Sequence, residues 1–283
     1  MSIAVTGATG QLGRLVIEHL KQRVAASSIL ALARKPEQAE GLGVAARAFD
    51  YSRAEMLDAA LSGVETLLLI SSSEIGQRAA QHTNVIAAAK RAGIQRIVYT
   101  SVLHADSSVL QLADEHRATE AALKASGLSY TLLRNGWYTE NHTGFAGMAL
   151  ANGALFGSAG EGRISSATRE DLAEAAAVVL TADGHENATY ELVGDNSWKL
   201  ADLAAEISKQ TGKNIPYRNL PEADYAAALE GAGLPKELAA ALASYDVSAS
   251  QGALYSNERA LAELIGRPTT PLAVSVERAL KTH

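Results

Sequence analysis

The residues best placed by type and spacing to do chemistry are the glycines of "GATGQLG": Gly7, Gly10 and Gly13, three residues apart. They follow a short apolar run, Ile3 to Thr6, and precede a stretch in which Leu12, Leu15, Val16 and Leu20 share one helical face. Strand, glycine turn and helix together make a seat for a dinucleotide pyrophosphate. Small residues let the backbone come close, and the phosphate charge meets amides and the positive end of the helix dipole. Gly7, Ala8, Thr9, Gly10, Gln11, Leu12 and Gly13 are assigned to that seat. A glycine-rich turn alone is weak evidence, but this one starts a βαβ unit, the context the reading requires.

The next strand selects the dinucleotide. A site for NAD places Asp or Glu at its end to accept from the ribose 2′-hydroxyl. Here "LALARKPEQ" offers Arg34 and Lys35. A carboxylate there would repel a 2′-phosphate, whereas a guanidinium can hold it through two bonds. The expected cofactor is therefore NADPH. Asp50, closing "ARAFD", is placed to meet adenine, and Ser71, Ser72 and Ser73 supply hydroxyls and amides near the pyrophosphate and the nicotinamide ribose. Gln77 is within reach from the same loop. Asp and Ser also serve as turn formers and caps at strand ends, so these positions carry a structural alternative.

The elements that must position these residues are short apolar runs alternating with helical patterns. Candidate strands are 3–6, 29–33, 45–49, 66–71, 96–101, 130–135 and 189–194, with helices near 12–23, 53–62, 78–92, 112–126 and 169–182. Such alternation implies parallel strands joined by right-handed crossovers, and continuous apolarity implies that both sheet faces are covered. The expectation is an α/β fold: a doubly wound Rossmann-type parallel sheet with a smaller, mainly helical C-terminal lobe. Residues 1–135 form the NADP-binding domain, completed by about 169–195, while 136–168 and 196–283 form the lobe on the substrate side. "GSAGEGRIS" (157–165) reads as a flexible connection near the site mouth, and Thr168 with Asp171 reads as a helix cap.

Composition removes other classes. The chain has no cysteine, so disulfides and thiolate chemistry are out, and a reducing compartment suits it. A net charge of −6 gives no electrostatic reason to expect nucleic acid. The one basic cluster, 90–96, complements a helix C-terminus. The start of the chain runs straight into a strand, and the apolar runs are too short to span a bilayer, so a cytoplasmic protein without membrane insertion is expected. The histidines show no metal-ligand spacing, and no G-x-S-x-G is present, so neither a metal nor a nucleophilic hydrolase is expected.

With these residues in view, the chain resembles the NmrA-like branch of the atypical short-chain dehydrogenase/reductases over essentially its whole length. "VTGATGQLG", "ARKP", "YTS", "YTLLRNGWYTEN" and "ATREDLAEAA" carry the likeness. "LLLISSSEIGQRAAQHTNVI", "YTSVLHAD" and "LLRNGWYTENH" narrow it to the quinone-reducing members, whose relatives include reductases of triphenylmethane dyes. The resemblance implies NADPH-dependent two-electron reduction of a quinone, with Gly7 to Leu12 and Arg34 on the cofactor phosphates. It also implies that the segment from Asn135 and Gly136 to Asn141 lies beside the nicotinamide and the acceptor.

One departure bears on mechanism. The wider superfamily pairs Ser with Tyr-x-x-x-Lys as a proton shuttle, and here Ser101 is present but His116 and Glu120 stand where Tyr and Lys are expected. Quinone reduction tolerates this, because hydride addition gives an aromatised anion that a modest donor or water can protonate. The protein then has to orient the ring. Trp137 and Tyr138 offer an aromatic wall, with the Tyr138 hydroxyl or the Asn141 amide as donor, although Trp137 serves equally well as packing against the lobe. His104 could protonate the product or could be a loop histidine without a role. Two functions stay open: a reductase of a quinone or another planar acceptor, and a dinucleotide-binding redox sensor without turnover. A homodimer is compatible with both.

Overall fold

The computed structural model describes residues 2–281. Its strands are β1 (Ile3–Thr6), β2 (Ile29–Ala33), β3 (Ala45–Ala48), β4 (Thr66–Leu69), β5 (Arg96–Val102), β6 (Ser129–Asn135), β7 (Leu155–Gly157), β8 (Ala188–Leu192) and β9 (Tyr217–Asn219). The helices are α1 (Gln11–Lys21), α2 (Ala54–Ala60), α3 (Arg78–Arg91), α4 (Ala113–Ser126), α5 (Glu140–Thr143), α6 (Ala146–Asn152), α7 (Arg169–Thr181), α8 (Leu200–Thr211), α9 (Glu222–Gly231), α10 (Lys236–Ser250), α11 (Ala260–Ile265) and α12 (Leu272–Leu280).

Seven strands pair in parallel in the order β3-β2-β1-β4-β5-β6-β8. Strands β1, β2, β4 and β5 are buried at every position, as continuous apolar runs with both faces covered must be. Alternate side chains divide between two cores. Ile3, Val5, Leu68, Val98 and Leu133 pack with α1 and α7. Ala4, Leu67, Leu69, Ile97, Tyr99 and Leu132 pack under α2, α3 and α4. The chain order reverses direction between β1 and β4, where a doubly wound sheet opens a crevice for ligands.

A third core, with Trp198, Leu200, Leu203 and Leu254, belongs to the helical lobe. Two details depart from the expected layout. The 157–165 stretch is held firmly, not flexible: β7 pairs with β9, the Ser158 amide donates to Asp246 (2.8 Å), and a Cβ on Gly162 would lie 2.4 Å from the Ala249 carbonyl oxygen. A strand of three residues carries too little periodicity to be read in advance. Also, α11 packs on the sheet through Leu261, although it follows the lobe in sequence.

Asp171 accounts for that return. Its amide is capped by Thr168 Oγ1 (3.1 Å), but its fully buried carboxylate does more. It accepts from the Thr270 amide (2.7 Å), the Thr270 hydroxyl (3.0 Å) and the Arg267 guanidinium (2.8 Å). A carboxylate taken out of water needs such partners. The segment after α11 is thereby fastened to α7.

Candidate active site

Gly7 sits at the end of β1 with φ +58, a conformation open to glycine, and its carbonyl accepts from the Gly10 amide (2.9 Å). Gly13 is required for a different reason: a Cβ there would lie 2.3 Å from the Gly7 carbonyl oxygen. The first turn of α1 thus presses against the loop, and the helix start is presented to the crevice. Within the predicted seat, Gly7, Thr9 and Gly10 line the cleft, and Gln11 is an exposed first residue of α1. Ala8 and Leu12 are buried in the core beneath, so they shape the loop.

The cleft has a volume of about 590 Å³, in the range of sites for sizeable ligands. Arg34 and Asp50 face it from the ends of β2 and β3, and Ser72 and Ser73 from the loop after β4. Ser71, half-buried, precedes them and does not line the cleft; its amide donates to Thr100 Oγ1 (2.9 Å). Gln77 is exposed ahead of α3, and the amide side chain that lines the cleft is instead Gln81, one turn further on. Gln81 donates to Ser52 (2.9 Å) and Glu74 (2.7 Å), while its Oε1 is buried without a partner.

Tyr51 and His82 hold the cleft wall. The Tyr51 hydroxyl lies 2.6 Å from Thr6 Oγ1 and 2.8 Å from the Ile70 carbonyl, and burial pushes its phenol well up. His82 Nε2 accepts from the Ser72 amide (3.0 Å), which puts its proton on Nδ1 facing Thr119 Oγ1 (2.9 Å). Burial, then the nearby Arg78, lowers His82 to about 3, so it stays neutral. Arg78 is itself buried and donates to the Ser72 carbonyl (2.6 Å).

At the positions of the absent Tyr–Lys pair, the structure holds a network whose centre is buried and whose outer end reaches the surface at Asp106. The Tyr99 hydroxyl lies 2.7 Å from His116 Nδ1, and burial keeps His116 well below its usual value. Glu120 accepts from Ser101 (2.7 Å) and, with both oxygens, from Arg134 (3.0 and 2.8 Å). Arg134 continues to Glu191 and Asp106, both at 2.9 Å. These groups satisfy each other and leave no poised proton shuttle. His104, at φ +53, is held by the Tyr255 carbonyl (3.2 Å) and lies beside Glu191.

The end of β6 supplies the remaining predicted residues. Asn135 is buried and its Oδ1 has no hydrogen-bond partner. Gly136 has room for no side chain, since a Cβ would stand 2.9 Å from the Leu192 carbonyl oxygen. Arg169, read in the sequence only as part of a helix start, organises the residues beyond Gly136. Its guanidinium lies 4.3 Å from the centre of the Tyr138 ring and donates to Asn141 Oδ1 (2.8 Å). That bond leaves the Asn141 Nδ2 protons available to an acceptor. Burial pushes the Tyr138 phenol up, opposed by the nearby Asn135 amide and by Arg169. Trp137 turns the other way and meets Tyr245 edge-on at 5.2 Å, on the wall of a narrow slot shared with Asn141, His142 and Asp246.

Among the described residues no group of three or more His, Asp or Glu could hold a metal ion, and no helix is long and apolar enough to cross a membrane.

Known proteins match this arrangement throughout. The chain is 57% identical to quinone oxidoreductase 2 of Escherichia coli (strain K12), over 99% of both chains. The crystal structure of NADPH-dependent quinone oxidoreductase QOR2 from E. coli, complexed with NADPH, superimposes with a TM-score of 0.96, at 56% identity over 98% of this chain and 99% of that one. The Citrobacter sp. triphenylmethane reductase complexed with NADP(H) gives 0.95, at 40% identity over 98% and 100%. The NAD(P)H-binding family model matches residues 7–183. The fold and chain order are thus shared over the full length, and the protein belongs to the NAD(P)H-binding family, in its NmrA-like branch.

Proposed function

We propose that this protein is an NADPH-dependent quinone reductase that gives the hydroquinone by two-electron hydride transfer. The observation that carries the reading is a full-length relationship to a quinone oxidoreductase combined with a cleft whose residues fit the cofactor. Two buried oxygens without partners, Gln81 Oε1 and Asn135 Oδ1, are suited to donors on the cofactor's sugar, base or carboxamide. Gly7, Thr9 and Gly10 would take the pyrophosphate, Arg34 the 2′-phosphate, and Asp50 the adenosine rim, with Ser72 and Ser73 further along. When bound, the reduced nicotinamide supplies the hydride. The chain's own part is orientation: Asn141, fixed by Arg169 across the Tyr138 ring, offers its amide protons to an acceptor oxygen, and Trp137 with Tyr245 walls the space beside it.

The closed Ser101–Glu120–Arg134 network supports an acceptor that needs no strong proton shuttle. We place the protein in the cytoplasm, where NADPH is maintained, and propose a homodimer, to be read by light scattering. The decisive assay mixes protein, NADPH and a simple benzoquinone and follows loss of NADPH absorbance above the uncatalysed rate. Saturable turnover is expected. Tight NADPH binding without turnover across several quinones would make the protein a sensor.

A further inference from the structure

We propose, on the quinone-reducing reading above, that the Asp246 carboxyl hydrogen-bonds the acceptor's oxygen and hands it the proton that completes the hydroquinone. Asp246 lies on α10 and is 6% exposed. Its Oδ2 accepts from the Ser158 amide (2.8 Å), and no ion pair to it is recorded among the described residues. It lines the slot with Trp137, Asn141 and Tyr245, so a buried acid, an amide donor and two aromatic rings converge on one opening. The slot is narrow, about 20 Å³, with room for a single acceptor oxygen.

This slot shares Asn141, the amide donor assigned above to the acceptor. Arg78, which donates to the carbonyl of Ser72 on the cleft wall, draws the Tyr245 phenol down against the effect of burial. Asp246 follows Tyr245 directly. The groups facing Asp246 from packed elements are Tyr217 on β9, Tyr225 on α9 and His142 on α5. Burial raises both phenols and lowers His142 to about 4, so all three are uncharged near neutrality. With no cation to hold it ionised, burial raises Asp246 to about 6, against the pull of the Ser158 amide. It can therefore carry a proton at working pH.

The balance is simple. Hydride brings one hydrogen and two electrons to the quinone and leaves one ring oxygen anionic. That oxygen takes the Asp246 proton, and the resulting carboxylate is reprotonated by water. One solvent proton is consumed per quinone.

The test is Asp246→Asn, which retains an oxygen for the Ser158 amide but does not titrate. Without cofactor, duroquinone is titrated against intrinsic tryptophan fluorescence, to which Trp137 on the slot wall contributes. Wild type is expected to bind about tenfold more tightly at pH 5.5 than at 7.5, with the variant unchanged between them. In turnover, wild-type kcat is expected to fall as pH rises from 6 to 8, and the variant to be slower and flat, with NADPH affinity equal in both. Superimposable pH dependences in wild type and variant overturn the proposal. Should the variant fail to bind NADPH, Asp246→Glu is expected to keep the wild-type profile, and a flat wild-type profile then overturns it. A wild type that binds duroquinone with this pH dependence but never turns over defeats the reductase reading instead.

Discussion

Arg34 reaches across the cofactor cleft to Glu74, Nη1 to Oε1 at 3.4 Å, and both side chains are largely exposed to solvent. The guanidinium assigned to the 2′-phosphate is thus engaged by a carboxylate that a phosphate would have to displace. Glu74 in turn accepts from Gln81 at 2.7 Å, so the strap joins the ends of β2 and the loop after β4.

Arg34→Ala is expected to weaken NADPH binding by about tenfold to a hundredfold and to leave NADH within about twofold, since a bidentate charged contact is lost only for the phosphorylated cofactor. Glu74→Gln should do the reverse, tightening NADPH about threefold at low salt by removing a competing carboxylate, with the gain shrinking as salt rises. Isothermal titration with both cofactors checks this. Equal effects on NADPH and NADH would remove Arg34 from the phosphate site.

The histidines make the fold sensitive to acid. His82 and His142 are neutral when folded, lowered by burial to about 3 and about 4, and His116 is held well below its usual value too. The unfolded chain takes up protons on these rings below about pH 6.5, so stability falls as pH drops from 6.5 towards 4. For His82 and His142 the loss by pH 5 approaches about 2 kcal/mol each, and His116 adds in the same direction. Urea unfolding at pH 7.5, 6 and 5 reads it, and His82→Gln should reduce the slope.

Asp246 acts in the opposite direction. Its folded value lies above the unfolded one, so its contribution is present at low pH and is lost as pH rises through 6. Asp246→Asn should therefore stabilise the protein by ~1–3 kcal/mol at pH 7.5 and make little difference near pH 4. A variant no more stable than wild type at pH 7.5 would show that the ionised side chain is relaxed in its slot.

Glu120→Ala leaves Arg134 with only part of its buried charge answered, and should cost about 3 kcal/mol by chemical denaturation. The folded fraction should retain quinone turnover per molecule. A large fall in kcat at full folding would instead place the network in the reaction.

The glycine turn, the place of Arg34 on the cleft wall, the doubly wound sheet and the helical C-terminal region were legible because each rests on local pattern: a spacing, a charge at a strand end, a period. Tyr51, Gln81, Glu74, Arg78 and Asp246 were not. Gln81 lines the cleft where Gln77 was expected, because which face of α3 meets the crevice depends on packing from α4. Asp246 sits in an alanine-rich helix, "KELAAALASYDVSAS", whose burial is set by β7, α9 and the 158–162 turn, all distant in sequence. Arg169 read as a helix start, since its stacking on Tyr138 joins two segments about thirty residues apart. The His116 and Glu120 substitutions were visible, but that they close a self-satisfied network depends on Arg134 from the neighbouring strand.

The fastening of residues 267–270 to Asp171 has a consequence for synthesis. While the chain is still emerging from the ribosome, its sheet strands and α7 are already outside, yet the Asp171 carboxylate has no partners until the final stretch emerges. The face of the sheet that α11 covers is bare over the same interval. A chain cut short of residue 260 would lack the Arg267 and Thr270 donors to the Asp171 carboxylate and the Leu261 cover of the apolar face beside α7.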